Sequence, residues 1–389
     1  MASSGHVLRL TVLAFLLSCP SLVHAAQQVI LGPVDIISLD QPRVAVEVYA
    51  LPDRSFGPET SNTFLLDTGS QAILVGGAAY WEMFDQGYVT DGTFQEQGIA
   101  GTDTYDVSAV YNFRFAGTEG EPHTLDKVRI LSHPMADFGF DGIVGMPAMT
   151  NRITSMDLRP MSEIELINVD FPGSVPSGNG HRYSIPLGLQ WFDPPTQEDP
   201  NQPLPTYADL PFLTVNLGNG PVSTQTRMLL DTGAQMSVVS TDLAFAAGLD
   251  ANNNGTLNDE IIDYVEILGA AGPTMIPVIQ ADRLSVPTAE GVDLVWTDLQ
   301  VLLWDIGPGI PGVFSFSPLT TGYLDVMFTG QYGCIEQVHL DFTDAGNQNG
   351  MMYLDLNGDF DVVVPEPGTL SLLALLGGLA AVRRSGRSA

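Results

Sequence analysis

One segment of this chain occurs twice, and that limits its architecture more than any other feature. Phe64-Leu65-Leu66-Asp67-Thr68-Gly69-Ser70-Gln71 runs into Ala72-Ile73-Leu74-Val75, and Met228-Leu229-Leu230-Asp231-Thr232-Gly233-Ala234-Gln235 runs into Met236-Ser237-Val238-Val239. A Gly-rich turn follows each copy, Gly98-Ile99-Ala100-Gly101 in the first half and Gly269-Ala270-Ala271-Gly272 in the second. Further on stand Gly142-Ile143-Val144-Gly145 and Gly312-Val313-Phe314-Ser315. Three features repeated in one order at near-equal spacing mark the duplication of one structural unit. A chain of 389 residues has room for two such units, each burying its own core.

The units read as β-structure. Short apolar runs rich in Val, Ile, Leu and aromatics are broken by Gly, Pro, Asn and Asp, with 40 Gly and 27 Pro in all, and long helical periodicity is scarce. Strands are predicted over 43–49, 63–66, 109–115, 212–217, 227–230 and 292–303. The proline-rich stretch 193–205 forbids regular pairing and is the predicted linker. An all-β, two-lobed fold is expected, with lobes over 26–192 and 206–363 and a cleft between them.

Each repeat delivers a carboxyl group in a particular way. An apolar strand carries the Asp to its end, Gly permits a tight turn with close backbone approach, and Thr offers a hydroxyl that can brace the two loops against each other. Two such loops face to face would bring two carboxylates within a few ångströms. Like charge then stops both from ionising, so the pair shares one proton. One carboxylate can take a proton from an attacking water while the other protonates the developing oxyanion, which is hydrolysis without a covalent intermediate.

On these motifs the chain resembles the aspartic peptidases of the pepsin and retropepsin group, over roughly residues 27 to 345. The resemblance implies a bilobal acid-protease fold and endopeptidase activity on a polypeptide substrate, by a monomer that needs no cofactor. Carried over position by position, Asp67 and Asp231 would be catalytic. Thr68 and Thr232 would be bracing hydroxyls, Gly69 and Gly233 turn residues, and Ser70 and Ala234 the neighbours that differ between halves. The turns at Gly98 and Gly101 and at Gly269 and Gly272 fall where flaps would close over substrate, although ordinary hairpin turns explain them equally well. Ser70 could donate to Asp67, which predicts the charge on Asp67 and the proton on Asp231. Ser315 stands where the family carries Gly and is expected to crowd the support behind the Asp231 loop. An inactive scaffold used for adhesion or matrix binding is the alternative.

Both ends look like sorting signals. His6 and Arg9, the apolar run 10–17 and Val23-His24-Ala25 predict a signal peptide over residues 1–25. The stretch Leu16-Leu17-Ser18-Cys19 also admits a lipoprotein signal, which Leu17 and Pro20 fit poorly. Residues 364–389 carry Pro365-Glu366-Pro367, an apolar stretch 370–382 and Arg383, Arg384 and Arg387. This end resembles the PEP-CTERM sorting signal of bacterial envelope proteins. That implies a membrane stage, processing by a sorting enzyme of exosortase type, and residence in the cell envelope, at the surface or in extracellular matrix.

Composition excludes other classes. With 45 Asp plus Glu against 14 Lys plus Arg, the formal net charge is -31, and nucleic acid finds no cation cluster to bind. Cys19 lies in the predicted signal peptide, so Cys334 has no partner for an internal disulfide. Asp250, Asn252, Asn254 and Gly255 imitate a calcium loop, but its twelfth position is Ile261, and a polar turn is the competing explanation. A second acidic turn runs from Asp355 through Asn357 and Asp359 to Asp361. His123, His133, His181 and His339 show no metal spacing, and neither a nucleophile elbow nor a nucleotide loop is present.

Overall fold

The computed structural model describes residues 27–358 apart from 35–36, 51–53, 99–100, 119, 137–138, 164–165, 270–271 and 324–332. The predicted signal peptide and the C-terminal sorting segment lie outside the described residues. Contacts divide the chain into one unit of Met1–Gln28 with Val362–Ala389, and a body of Val29–Asp361 that holds everything below.

The body is built from strands, as the alternation and turn chemistry predicted. Arg43–Ala50 buries Val44, Val46 and Val48 and turns the intervening side chains outward, the period-2 pattern of a strand with one face on the core. Phe64–Leu66 and the end of Val222–Leu230 are buried without alternation, because each is flanked by strands and covered on both faces.

Two sheets repeat one order of seven strands. In the first, the order is Thr90–Gly98, Gly101–Ser108, Leu131–Ser132, Ile73–Val75, Gly142–Val144, Phe64–Leu66 and Arg43–Ala50. In the second it is Ile261–Gly269, Gly272–Pro287, Val292–Leu303, Val238–Val239, Gly312–Phe314, Val222–Leu230 and Leu210–Asn219. Gly142–Val144 lies parallel to Phe64–Leu66 and antiparallel to Ile73–Val75, and Gly312–Phe314 holds the same place in the second half. The glycine at the head of each is required: a Cβ at Gly142 would lie 2.4 Å from the Leu74 carbonyl oxygen, and one at Gly312 would lie 2.7 Å from that of Val238. The sequence duplication is thus a duplication of topology.

The second sheet also recruits strands from before the proline-rich stretch. Ile153–Asp157 pairs with Ile335–Asp341, and Arg182–Gln190 pairs with both Asn349–Leu356 and Leu210–Asn219. Where these strands meet, Asp355 is buried and takes two bonds from Arg182, at 2.7 and 2.6 Å. His339, fully buried, lies 3.4 Å from the same carboxylate and 2.8 Å from the Ser155 hydroxyl. Burial alone would raise the Asp355 carboxyl, but His339 and Arg182 outweigh it and hold it below the usual range. The acidic turn read at Asp355 is therefore wrong at its first residue, which is an interior ion-pair partner; Asp359 and Asp361 lie outside the described residues. Cys334 is buried, and its thiol donates to Leu31 O at 3.0 Å.

Candidate active site

Each repeated Asp sits one residue past a buried strand, and its main chain is tied to the strand behind it. Asp67 N donates to Val144 O and Asp231 N to Phe314 O, both at 3.0 Å. The two loops then lock together. Thr68 Oγ1 donates to Leu230 O at 2.7 Å and accepts from Thr232 N at 3.0 Å. Thr232 Oγ1 donates to Leu66 O at 2.7 Å and accepts from Thr68 N at 3.1 Å. Both threonines are buried, so these four bonds satisfy main-chain groups that water does not reach.

The lock brings the carboxylates together. A Cβ on Gly69 would lie 2.4 Å from the Asp231 carboxylate, and one on Gly233 would lie 2.5 Å from that of Asp67. Each loop's glycine is the wall of the other loop's acid, and the two side chains hydrogen-bond to each other. Burial first, then the neighbouring Asp231 charge and the bond to it, push the Asp67 carboxyl well above its ordinary range. Burial also raises Asp231, but the bond from Asp67 and the N–H groups of Ala234 and Gly233 pull it back. Those two N–H groups reach one Asp231 oxygen at 2.8 and 2.9 Å, whereas Asp67 Oδ1 receives Gly69 N at 2.7 Å.

The shared proton therefore rests on Asp67 and the charge on Asp231, the reverse of the sequence expectation. Ser70 is the reason: its hydroxyl donates to Ala72 O at 3.0 Å instead of to Asp67. The Ala234 main-chain N–H, invisible in residue identity, adds to the asymmetry. Ser70→Ala is accordingly expected to leave both limbs of a pH-rate profile in place; a shifted acidic limb would restore the serine to the pair.

Ser315 does not crowd its loop. Fully buried, it joins a chain of hydroxyls, 3.1 Å from Ser237 and 2.9 Å from Ser317, while its main-chain N donates to Ser237 Oγ at 3.2 Å. In the first half Gly145 has no such room, since a Cβ there would lie 2.1 Å from Ala72 O. Ser315→Gly should destabilise the fold by about 1–2 kcal/mol, from lost hydroxyl bonds and added chain entropy, as measured by urea unfolding. A stabilised variant would mean that the serine is strained after all.

Gly98 pairs with Gly101 and Gly269 with Gly272, so the two Gly-rich turns close the hairpins Thr90–Gly98 with Gly101–Ser108 and Ile261–Gly269 with Gly272–Pro287. Their tips, 99–100 and 270–271, lie outside the described residues. Tyr105, on the second strand of the first hairpin, is buried against His133.

The Asp250 loop closes on itself. Asp250 accepts from Asn254 N at 3.1 Å and Gly255 N at 2.9 Å, Asn252 accepts from Asn254 N, and Asn254 donates to Asp259. Asn252 forms an Asx turn and the other bonds close the loop around Asp250. Among the described residues no group of three or more His, Cys, Asp or Glu could hold a metal ion.

A family model described as aspartyl protease matches residues 213–317, which include the second Asp-Thr-Gly and its supporting strand. Over this stretch the chain is similar to the aspartyl proteases. Among solved structures, the aspartic proteinase from Irpex lacteus aligns at 14% identity over 82% of this chain and 97% of that chain, with a TM-score of 0.43. No curated protein matches. Sequence reasoning missed the lead-in contacts of the two repeated glutamines. Ala208 N donates to Gln71 O at 3.0 Å and Ser38 N to Gln235 O at 3.3 Å, a symmetry of main-chain bonds that residue identity does not record.

Proposed function

We propose that this protein is an exported aspartic endopeptidase in which Asp67 and Asp231 activate water for attack on a peptide carbonyl. The observation that carries the proposal is the shared-proton pair, held by reciprocal threonine bonds and asymmetric in its main-chain donors. In the working state Asp231, carrying the charge, takes a proton from the water, and Asp67 gives its own to the carbonyl oxygen. The tetrahedral intermediate then collapses as the leaving nitrogen is protonated, and no acyl-enzyme forms. The substrate is an extended polypeptide lying across the loops beneath the hairpins, held largely through its backbone. Export by the N-terminal signal and anchorage through the C-terminal segment, with processing by an exosortase-type enzyme, belong to the same proposal and rest on the sequence of the two ends.

Incubating residues 26–363 with a mixed peptide library in ¹⁸O-water, with and without hydroxylamine, tests the mechanism. One ¹⁸O atom should enter each new carboxyl terminus and no hydroxamate should form. Hydroxamate products would show a covalent intermediate and sink the proposal, as would a library left intact at every pH.

A further inference from the structure

The sheet beside Asp67 has a second, smaller apolar cluster on the face away from the main core. Leu65, Ile143, Leu74, Leu131 and Val107 stand in one row across five strands, in register from one to the next. Val144 and Leu66 face the main core, so their neighbours Ile143 and Leu65 face the other way. Asp67, two residues past Leu65, shares this second face. Leu74 lies two strands over from Leu65, about 10 Å away at the usual strand spacing. The first hairpin covers the row with Phe94 and Tyr105, completing an apolar cluster on the face that carries Asp67.

A residue just past the proline-rich stretch packs against that cluster. Tyr207 packs against the cluster, its ring 5.8 Å from that of Phe94, and its hydroxyl donates to the Glu96 carboxylate of the hairpin. The main chain is pinned on either side of it. Thr206 N donates to Arg129 O at 2.9 Å, and Ala208 N donates to Gln71 O at 3.0 Å while Gln71 Nε2 returns a bond to Ala208 O at 3.2 Å. The second half has the matching lead-in, since Ser38 meets Gln235 as Ala208 meets Gln71. The residue in Tyr207's place there is Ile37, which is 45% exposed. One lead-in side chain is packed against its sheet and the matching one is half exposed.

We infer that Tyr207 determines specificity: it occupies the side-chain pocket beside Asp67, so substrate must present a small residue there, and the pocket it plugs is shaped for a phenol. The inference of specificity rests on the peptidase function proposed above; the plug itself does not. The walls are apolar, and one acceptor, Glu96, stands where a tyrosine hydroxyl arrives. Removing the ring should leave a cavity that an aromatic side chain can enter.

Two measurements on the full chain, as wild type, Tyr207→Ala and Tyr207→Phe, test this separately from activity and through it. In the first, p-cresol is titrated while the melting temperature is followed, with toluene as the probe lacking a hydroxyl. Cresol should raise the melting temperature of Tyr207→Ala by several degrees more than that of either other protein, and toluene should raise it less. No cresol effect on Tyr207→Ala would overturn the pocket. In the second, library peptides are sorted by the residues around the cut. Wild type and Tyr207→Phe should favour Gly, Ala or Ser at one position, and Tyr207→Ala should gain tenfold or more in kcat/KM for Phe or Tyr there. Identical preferences in all three would overturn the specificity role. A wild type that cuts nothing would fail the peptidase function instead, and the cresol titration would still decide whether Tyr207 is a plug.

Discussion

Replacing Asp67 or Asp231 by Asn is expected to lower kcat/KM by about 10²–10⁴-fold, the range lost with one general acid or base. Asn keeps the shape and the bonds from the loop N–H groups but can neither take a proton from water nor hold one for the oxyanion. Since the two acids work as a unit, the double variant should be little worse than either single one. The stability effect of Asp67→Asn has the opposite sign. Asp67's folded pKa is raised above its ordinary value of 3.8. Its contribution to stability is therefore fully present below that value and is lost as pH rises through the folded pKa. Asn has no charge to acquire, so Asp67→Asn should melt higher than wild type at neutral pH, with the advantage fading towards pH 3. An active Asp67→Asn enzyme, or one that melts lower than wild type at pH 7, would refute the assignment of the proton to Asp67.

Thr232→Val should cost about 2–5 kcal/mol in urea unfolding. Valine matches threonine in shape, so the change isolates the hydroxyl. Its loss strands Leu66 O and Thr68 N, two interior main-chain groups, at about 1–3 kcal/mol each. Thr68→Val strands Leu230 O and Thr232 N by the same reasoning, and the double variant leaves all four unpaired. Activity should fall along with stability, because the carboxylates lose the frame that holds them together. A cost below about 0.5 kcal/mol, the scale of an unremarkable surface change, would mean that the loops are held by something else.

Much of the strand content was legible because local alternation writes it. The predicted 43–49, 63–66 and 292–303 reappear as Arg43–Ala50, Phe64–Leu66 and Val292–Leu303. The repeat foretold the matched sheet order because every member of the pattern, Asp, Gly turn and supporting strand, occupies the same place in both. What stayed hidden depends on partners far apart in the chain. No local signal says that Ile153–Asp157 pairs with Ile335–Asp341, or that Asp355 faces Arg182 instead of water. The charge asymmetry of the acids was misjudged because part of it lies in the main-chain N–H of Ala234, while the visible difference, Ser70 against Ala234, turned its hydroxyl elsewhere. Ser315 was misjudged for a related cause: its room is made by Ser237 and Ser317, one of them distant in sequence.

The pairing of Ile153–Asp157 and Arg182–Gln190 with the last described strands sets an order of events during synthesis. The first repeat can leave the ribosome with its seven strands complete, yet Ile153–Asp157 and Arg182–Gln190 each lack one of their two partner strands until Ile335–Asp341 and Asn349–Leu356 have emerged. Thr68 likewise waits for Leu230 and Thr232. Under the proposed function, a chain threaded through a membrane from its N-terminus would therefore stay proteolytically silent in transit, and would assemble its paired acids only once both repeats had reached the far side.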